Sequence, residues 1–259
     1  MIADLLIGGA VGLVGGVASG LTGTSPGGAL VVLSSLLLGA EQHVAQGISL
    51  IAQVPPTSLP GIARYRADGA RTPWRWLIWM TLGFVAGGLA GSLAAGFVSD
   101  GALRWTYVGY LALLLALLVV RPARSVREPA ESKVAAAPGA PALLAVGAAA
   151  GLSAGLLGIG GGLAVMVGLT ALVGVRQHQA QMASLILSLA PVNLPAAWVY
   201  FSHGWTASWP VLAGIVAGLS AGGDLGARIA NRMSEARLRR LTFALILAMV
   251  VCMAWKAAS

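Results

Sequence analysis

Shifted by 135 positions, this sequence lies on itself without a gap: Gly20, Leu21, Gly23, Gly27, Gly39, Gln42, His43, Ala45 and Gln46 fall on Gly155, Leu156, Gly158, Gly162, Gly174, Gln177, His178, Ala180 and Gln181. The register continues through Ser49/Ser184, Pro56/Pro191, Pro60/Pro195, Tyr65/Tyr200 and Gly69/Gly204, and reappears at Gly83, Gly87 and Gly91 against Gly218, Gly222 and Gly226. The chain therefore folds as two copies of one unit. In a strongly apolar chain, such a duplication is the pattern of membrane carriers built from repeats around a central site.

Composition makes the apolar part explicit. With 58% hydrophobic and only 9% charged residues, the chain carries more apolar surface than one soluble core of this size can bury. Long apolar runs, rather than alternating segments of about ten residues, predict helices and not an outer-membrane barrel. The single cysteine, Cys252, excludes a disulfide framework and a thiol pair, and no cofactor or metal set is visible. Asp4 and the absence of a basic start make the first apolar segment a retained helix rather than a signal peptide.

The punctuation by Gly, Pro and charge predicts five segments per half, near 4–21, 27–40, 44–63, 74–97 and 103–120, then 142–157, 161–175, 179–201, 209–231 and 237–255. The expected organisation is a first transmembrane repeat over 1–120, a cytoplasmic linker over 121–141 and a second repeat over 142–259. The linker holds Pro122, Pro129, Pro138 and Pro141 among charges. The second segment of each half is too short to span about 30 Å of hydrocarbon. It is expected to be a half-helix or part of a re-entrant pair.

Charge sets the topology. Arg64, Arg66, Arg71 and Arg75 follow the third segment of the first half, and their counterparts from Tyr200 to Trp209 carry no Lys or Arg. After the fourth segment the bias reverses, with Asp100 and Arg104 in the first half against Arg228, Arg232, Arg237, Arg239 and Arg240 in the second. The positive-inside rule then inserts the halves upside down relative to one another, with both termini outside and 14 of the 16 Lys and Arg inside. The net charge of +8 is thus a topological signal and not a nucleic-acid footprint. Trp74, Trp76, Trp79, Trp105, Trp205, Trp209 and Trp255 fall near segment ends, where an aromatic belt sits.

Candidate site residues cluster at the Gly-rich junctions between segments one and two: Gly20 to Gly28, including Thr24, Ser25, Gly27 and Gly28, and Gly155 to Gly162, including Gly160, Gly161 and Gly162. Non-helical backbone at membrane depth must be satisfied by protein or a wet cavity, and a helix starting just after it aims N–H groups at an anion. In an inverted repeat both starts face one midplane site. The third segments add Gln46, Ser49, Gln53, Thr57 and Ser58, and Gln181, Ser184, Ser188 and Asn193, which serve equally well as interhelical hydrogen-bonding groups. Gly83, Gly87, Gly91, Gly214, Gly218, Gly222 and Gly226 read as packing faces, expected to tolerate side chains better than the junctions. Two Gly-x-Ser-x-Gly matches, at 151–155 and 218–222, lack a His/Asp set and read as coincidence. His43 and His178 start the third segments on opposite faces, either as polar helix starts or as proton-handling gates. Asp224 and Arg228 read first as an i, i+4 pair, with gating as the minor alternative.

The duplicated glycine stretch (Gly158-Ile159-Gly160-Gly161-Gly162), the run from Gly39 to Leu50 containing His43-Val44-Ala45-Gln46-Gly47-Ile48-Ser49-Leu50, and its echo from His178 to Leu185 resemble the TauE/SafE family of sulfite exporters, also called toluene sulfonate uptake permeases. Thr24-Ser25-Pro26 stands where the family has glycines, and the Val-Pro usual after the cluster is missing from both copies. The resemblance implies an all-α, multi-pass protein of the bacterial inner membrane. Its partners would be the lipid bilayer and a small sulfur-containing anion such as sulfite, sulfoacetate or an organosulfonate. It would not be an enzyme. Export is favoured because a potential negative inside drives anions outward without a coupling ion. The alternatives are a proton-coupled uptake permease for a related anion such as thiosulfate, sulfate or a small carboxylate, and a membrane assembly or scaffold subunit that transports nothing.

Overall fold

In a computed structural model of the chain, the described residues are all except 23–24, 56–71, 121–137, 170–172, 176, 190–191, 231, 234 and 259. They form helices α1 (Ile2–Thr22), α2 (Gly27–Leu37), α3 (Gln42–Ala52), α4 (Trp74–Ala95), α5 (Asp100–Val120), α6 (Ala140–Leu157), α7 (Gly162–Val167), α8 (Gln177–Leu189), α9 (Leu194–Ser202), α10 (Trp209–Ala230) and α11 (Glu235–Ala258), with no strand among them. Four helix starts in the first half recur 135 residues later: Gly27 and Gly162, Gln42 and Gln177, Trp74 and Trp209, Asp100 and Glu235. The duplication therefore governs where helices begin, not only which residues they contain.

Local chemistry explains the boundaries. Pro141 sits in the first turn of α6, where its missing N–H costs nothing, and Gly158 ends the helix at φ 68° while its N–H returns to the Ala154 carbonyl. Gly39, at φ 64°, turns the chain between α2 and α3. With 11 residues each, α2 and α3 are about 16 Å long at 1.5 Å per residue, roughly half a bilayer core. The segment expected over 179–201 is divided into α8 and α9 around Asn193 and Pro195, where the proline stands in the first turn of α9. The described part of the 44–63 segment leaves the α-helix after Ala52, and that of the 161–175 segment after Val167; Pro56, Thr57, Ser58 and Pro60 lie outside the described residues, as do Arg64, Arg66, Arg71 and linker residues 121–137.

Packing repeats the duplication contact by contact. Helix α1 lies along α10, and α6 lies along α4. A side chain on Gly83, Gly87 or Gly91 would fall on the carbonyl of Leu144, Ala148 or Leu152, and one on Gly218, Gly222 or Gly226 on the carbonyl of Gly9, Leu13 or Val17. These are the same three contacts, displaced by 135 in both partners. From the facing helices, Gly12 and Gly16 meet Ile215 and Leu219 as Gly147 and Gly151 meet Met80 and Phe84. The seams are thus backbone against backbone, and the expectation that their glycines are only moderately constrained is corrected. Gly151 and Gly155 belong to such a seam, which accounts for the first Gly-x-Ser-x-Gly match.

Two apolar cores are copies as well. One contains Met80, Phe84, Val146, Val165, Ala183 and Leu187; the other contains their counterparts Ile215, Leu219, Val11, Leu30, Ile48 and Ala52. A third core, with Val31, Val32, Tyr107, Leu111, Ile159 and Met253, joins α2, the second junction and the α5/α11 pair. Three described helices, over Ile2–Leu21, Trp74–Ala95 and Ala140–Leu157, are long and apolar enough to cross a membrane. Their outer faces present Leu6, Leu13, Ile78, Leu82, Leu144 and Leu152, an apolar exterior suited to lipid rather than water.

Candidate functional site

The two Gly-rich junctions meet. A Cβ on Gly27 would fall on the Ile159 carbonyl and lie 2.7 Å from Gln53 Nε2, and one on Gly162 would lie 3.0 Å from Ser184 Oγ and 3.3 Å from the Ser25 amide nitrogen. Gly160, at φ 64°, leaves the room in which Gln53 Oε1 and Ser25 Oγ sit side by side. Gly161 packs against Phe84 and the Ala150 carbonyl, closing the cluster toward α4 and α6. Sequence segments 135 residues apart are therefore one three-dimensional site.

Hydroxyls from the third segments hold the junction backbone, and they do so twice. Ser49 donates to the Gly27 carbonyl (3.3 Å) or the Gly158 carbonyl (2.6 Å), and its counterpart Ser184 donates to Gly162 (2.9 Å), the counterpart of Gly27. One turn on, Gln53 donates to the Ser49 carbonyl (2.9 Å) and Oγ (3.0 Å), as Ser188 donates to the Ser184 carbonyl (2.9 Å). Gln53 Oε1 accepts from Ser25 Oγ. In this arrangement the serine protons are spent on positioning main chain, so Ser49 and Ser184 shape the site before they can contact anything in it.

Further donors remain. Helix α2 opens at Gly27 after Pro26, with no side chain among the described residues capping it, so its first-turn N–H groups are directed into the junction. Gln46 is fully buried; its Oε1 accepts from Tyr200 OH (2.8 Å), whereas its Nε2 has no partner among the described residues. Buried donors without partners are costly, so such a group is kept where something else uses it. None of these contacts involves a charged side chain. The cluster can cradle an anion with main-chain N–H groups, hydroxyls and amides while holding it weakly.

Among the sequence-derived candidates, Ser25, Gly27, Gln46, Ser49, Gln53, Gly160, Gly161, Gly162 and Ser184 gather here. Gly28 borders the cluster, its carbonyl accepting from Tyr107 OH at 2.6 Å. Asn193 is buried at the start of α9 with Oδ1 unpartnered, and no described contact ties it to the cluster. Thr24 and the side chains of Gln181 and His178 lie outside the described residues. Asp224 and Arg228 form the expected i, i+4 pair at 2.7 Å, with both side chains exposed. Tyr107 and Tyr200 were not singled out as site residues, although the repeat register at Tyr65/Tyr200 was a visible signal for the second.

His43 stands apart, at the beginning of α3. Its Nδ1 is bonded to Asp100 Oδ1, its Nε2 lies 2.9 Å from the Ala95 carbonyl, and its ring lies tilted by 33° against Trp205 with centroids 4.3 Å apart. Trp205 is therefore enclosed between His43 and His203 rather than part of an outward belt, unlike Trp74, Trp209 and Trp255, which are exposed near helix ends.

Fold and site together define a helical membrane protein of duplicated architecture with an uncharged polar centre. A family model described as sulfite exporter TauE/SafE matches residues 8–253, and the chain belongs to that family, whose members are membrane transporters of anions such as sulfite. No curated protein and no solved structure matches.

Proposed function

We propose that the protein moves a small sulfur-containing oxyanion, sulfite or an organosulfonate, across the bacterial inner membrane by alternating access, with export as its direction. The observation that carries this reading is the meeting of both junctions at a polar, uncharged cluster containing a helix start and the Gln46 amide nitrogen, neither of which has a side-chain partner among the described residues. A site that binds through dipoles alone releases readily, which a carrier needs. With a potential negative inside, each anionic charge is driven outward by about 2.3 kcal/mol per 100 mV.

The two halves are read as inverted repeats, 1–120 and 142–259, joined by a cytoplasmic linker over 121–141, and α2–α3 and α7–α8 as short hairpins that enter and return. Two observations support this. The halves exchange partners, α1 with α10 and α6 with α4, as a pseudo-twofold axis requires. The charge-derived topology puts the start of α3, the α4–α5 corner, the α9–α10 loop and the end of α11 on the same outer face; His43 contacts Asp100 and Trp205, and Lys256 reaches the Ser35 and Ala40 carbonyls.

The test is flux of labelled sulfite into liposomes containing purified protein, against protein-free liposomes and a monovalent cation. Saturable sulfite flux without cation flux is expected. Membrane-impermeant labelling of single cysteines in a Cys252→Ala background should find both termini on one face and the linker on the other; termini on opposite faces would contradict the inverted repeat.

A further inference from the structure

We propose that His43 and Asp100 form a proton-binding site at the outer end of the bundle, whose occupancy ties the site helix α3 to the α4–α5 corner. The Ala95 carbonyl can only accept, so the 2.9 Å contact requires a hydrogen on His43 Nε2. The contact between Nδ1 and Asp100 Oδ1 requires a second hydrogen. Oδ1 also accepts from the His43 main-chain N–H at 3.3 Å, in the first turn of α3, where a carboxylate is favoured. Both hydrogens therefore belong to the imidazole, and the pair is an imidazolium facing a carboxylate. The Trp205 indole, 4.3 Å from the His43 ring, offers a π face that favours the same cation.

The other ionisable neighbours do not replace these partners. Glu41 precedes α3 and is exposed, His203 lies beyond Trp205 and is exposed, Tyr200 meets Trp205 edge-on but bonds Gln46, and Arg104 follows Asp100 by one turn of α5. Lys256 is engaged with the Ser35 and Ala40 carbonyls. When the Nδ1 proton leaves to water, a nitrogen lone pair faces a carboxylate oxygen, and the attraction that joined α3 to Asp100 becomes repulsion. Helix α3 and its C-cap carry Gln46, Ser49 and Gln53, the residues that grip the junctions, so the proton acts on the helix that shapes the site. By register, His178 is the second residue of α8 and Glu235 the first of α11, as His43 and Asp100 are of α3 and α5, which places a histidine and an acidic residue at the equivalent positions of the other half.

The proton site stands on geometry alone, and its coupling to flux rests on the transport reading. The chain has three histidines, so nitrogen NMR of ring-labelled protein in nanodiscs, with His43→Gln for assignment, resolves the site without any transport assay. In the wild type both ring nitrogens of His43 should carry hydrogen, and Asp100→Asn should remove one of the two. If His43 carries hydrogen on only one ring nitrogen, or is unaffected by Asp100→Asn, the proton site is refuted. In liposomes, sulfite flux should vary with outer pH by up to about tenfold per unit, the limit for one proton, and Asp100→Asn should flatten that dependence. An unchanged pH slope in Asp100→Asn refutes the coupling, whereas absence of sulfite flux in the wild type refutes the transport reading and leaves the NMR result standing.

Discussion

The glycine seams and the junction cluster descend from the same duplication, yet only the seams remain symmetric. Every seam contact of Gly83, Gly87 and Gly91 has its copy at Gly218, Gly222 and Gly226. In the junction, the Ser49–Gly27 bond has its copy at Ser184–Gly162, but Ser25 stands opposite Gly160 and Gln53 opposite Ser188. Where backbone packs on backbone at these positions, any added atom collides, so both copies of the three are held to glycine. Where side chains fill a shared space, one half can supply the polar groups and the other the room: Gly160 has no Cβ because Ser25 and Gln53 occupy its place. The scaffold is twofold, and the site within it has a polar side and a permissive side.

The largest effects should come from the seams. Gly87→Val and Gly222→Val each drive a branched side chain into a facing carbonyl, at or beyond the roughly 1–3 kcal/mol typical of overpacking. Folded yield and thermal unfolding in detergent should fall severely and equally for the two; a tolerant member of the pair would break the symmetry of the seams.

Next come substitutions that separate the two sides of the junction. Gly160→Ala meets Ser25 and Gln53 and is strained at positive φ by about 1–2 kcal/mol before any clash is counted, so sulfite flux should fall by tenfold or more. Ser25→Ala removes one hydroxyl and should weaken apparent affinity by about five- to tenfold, in keeping with about 1 kcal/mol for one hydrogen bond. Equal losses in the two variants would show that the asymmetry has no functional weight.

Smaller differences should separate the serines. Ser49 serves two junction carbonyls and receives Gln53 Nε2, whereas Ser184 has one junction carbonyl among the described contacts. Ser49→Ala should therefore cost more stability than Ser184→Ala by about 1 kcal/mol, readable in chemical denaturation. Smallest of all, Asp224→Asn should leave sulfite flux within about twofold, since an exposed i, i+4 pair contributes little.

Legibility in the sequence followed the same division. A gapless shift of 135 carries one helix start to another, and the glycine spacing of α4 and α10 marked their packing faces, because both are properties of local sequence. Their partners on α1 and α6 were not assigned, since nothing local says which helix a glycine faces. At the site, the junction glycines, Ser25, Gln46, Ser49, Gln53 and Ser184 were recognisable as polar or flexible residues at membrane depth. What escaped were contacts between distant segments: Tyr200 on Gln46, Tyr107 on Gly28, and Asp100 with Trp205 on His43. Asp100 reads locally as a loop acid, and only the approach of α3 to the α4–α5 corner gives it a partner.

If the two junctions form one anion pathway, a side chain that enters either of them should block it. Gly27→Leu places a side chain on the Ile159 carbonyl, and Gly161→Leu places one on Phe84 and the Ala150 carbonyl. Labelled sulfite flux should be measured in liposomes for both variants, using only protein that inserts and retains the wild-type elution profile. Loss of flux in each is the expected result. Wild-type flux in either correctly folded variant would contradict the claim and move the pathway away from the junctions.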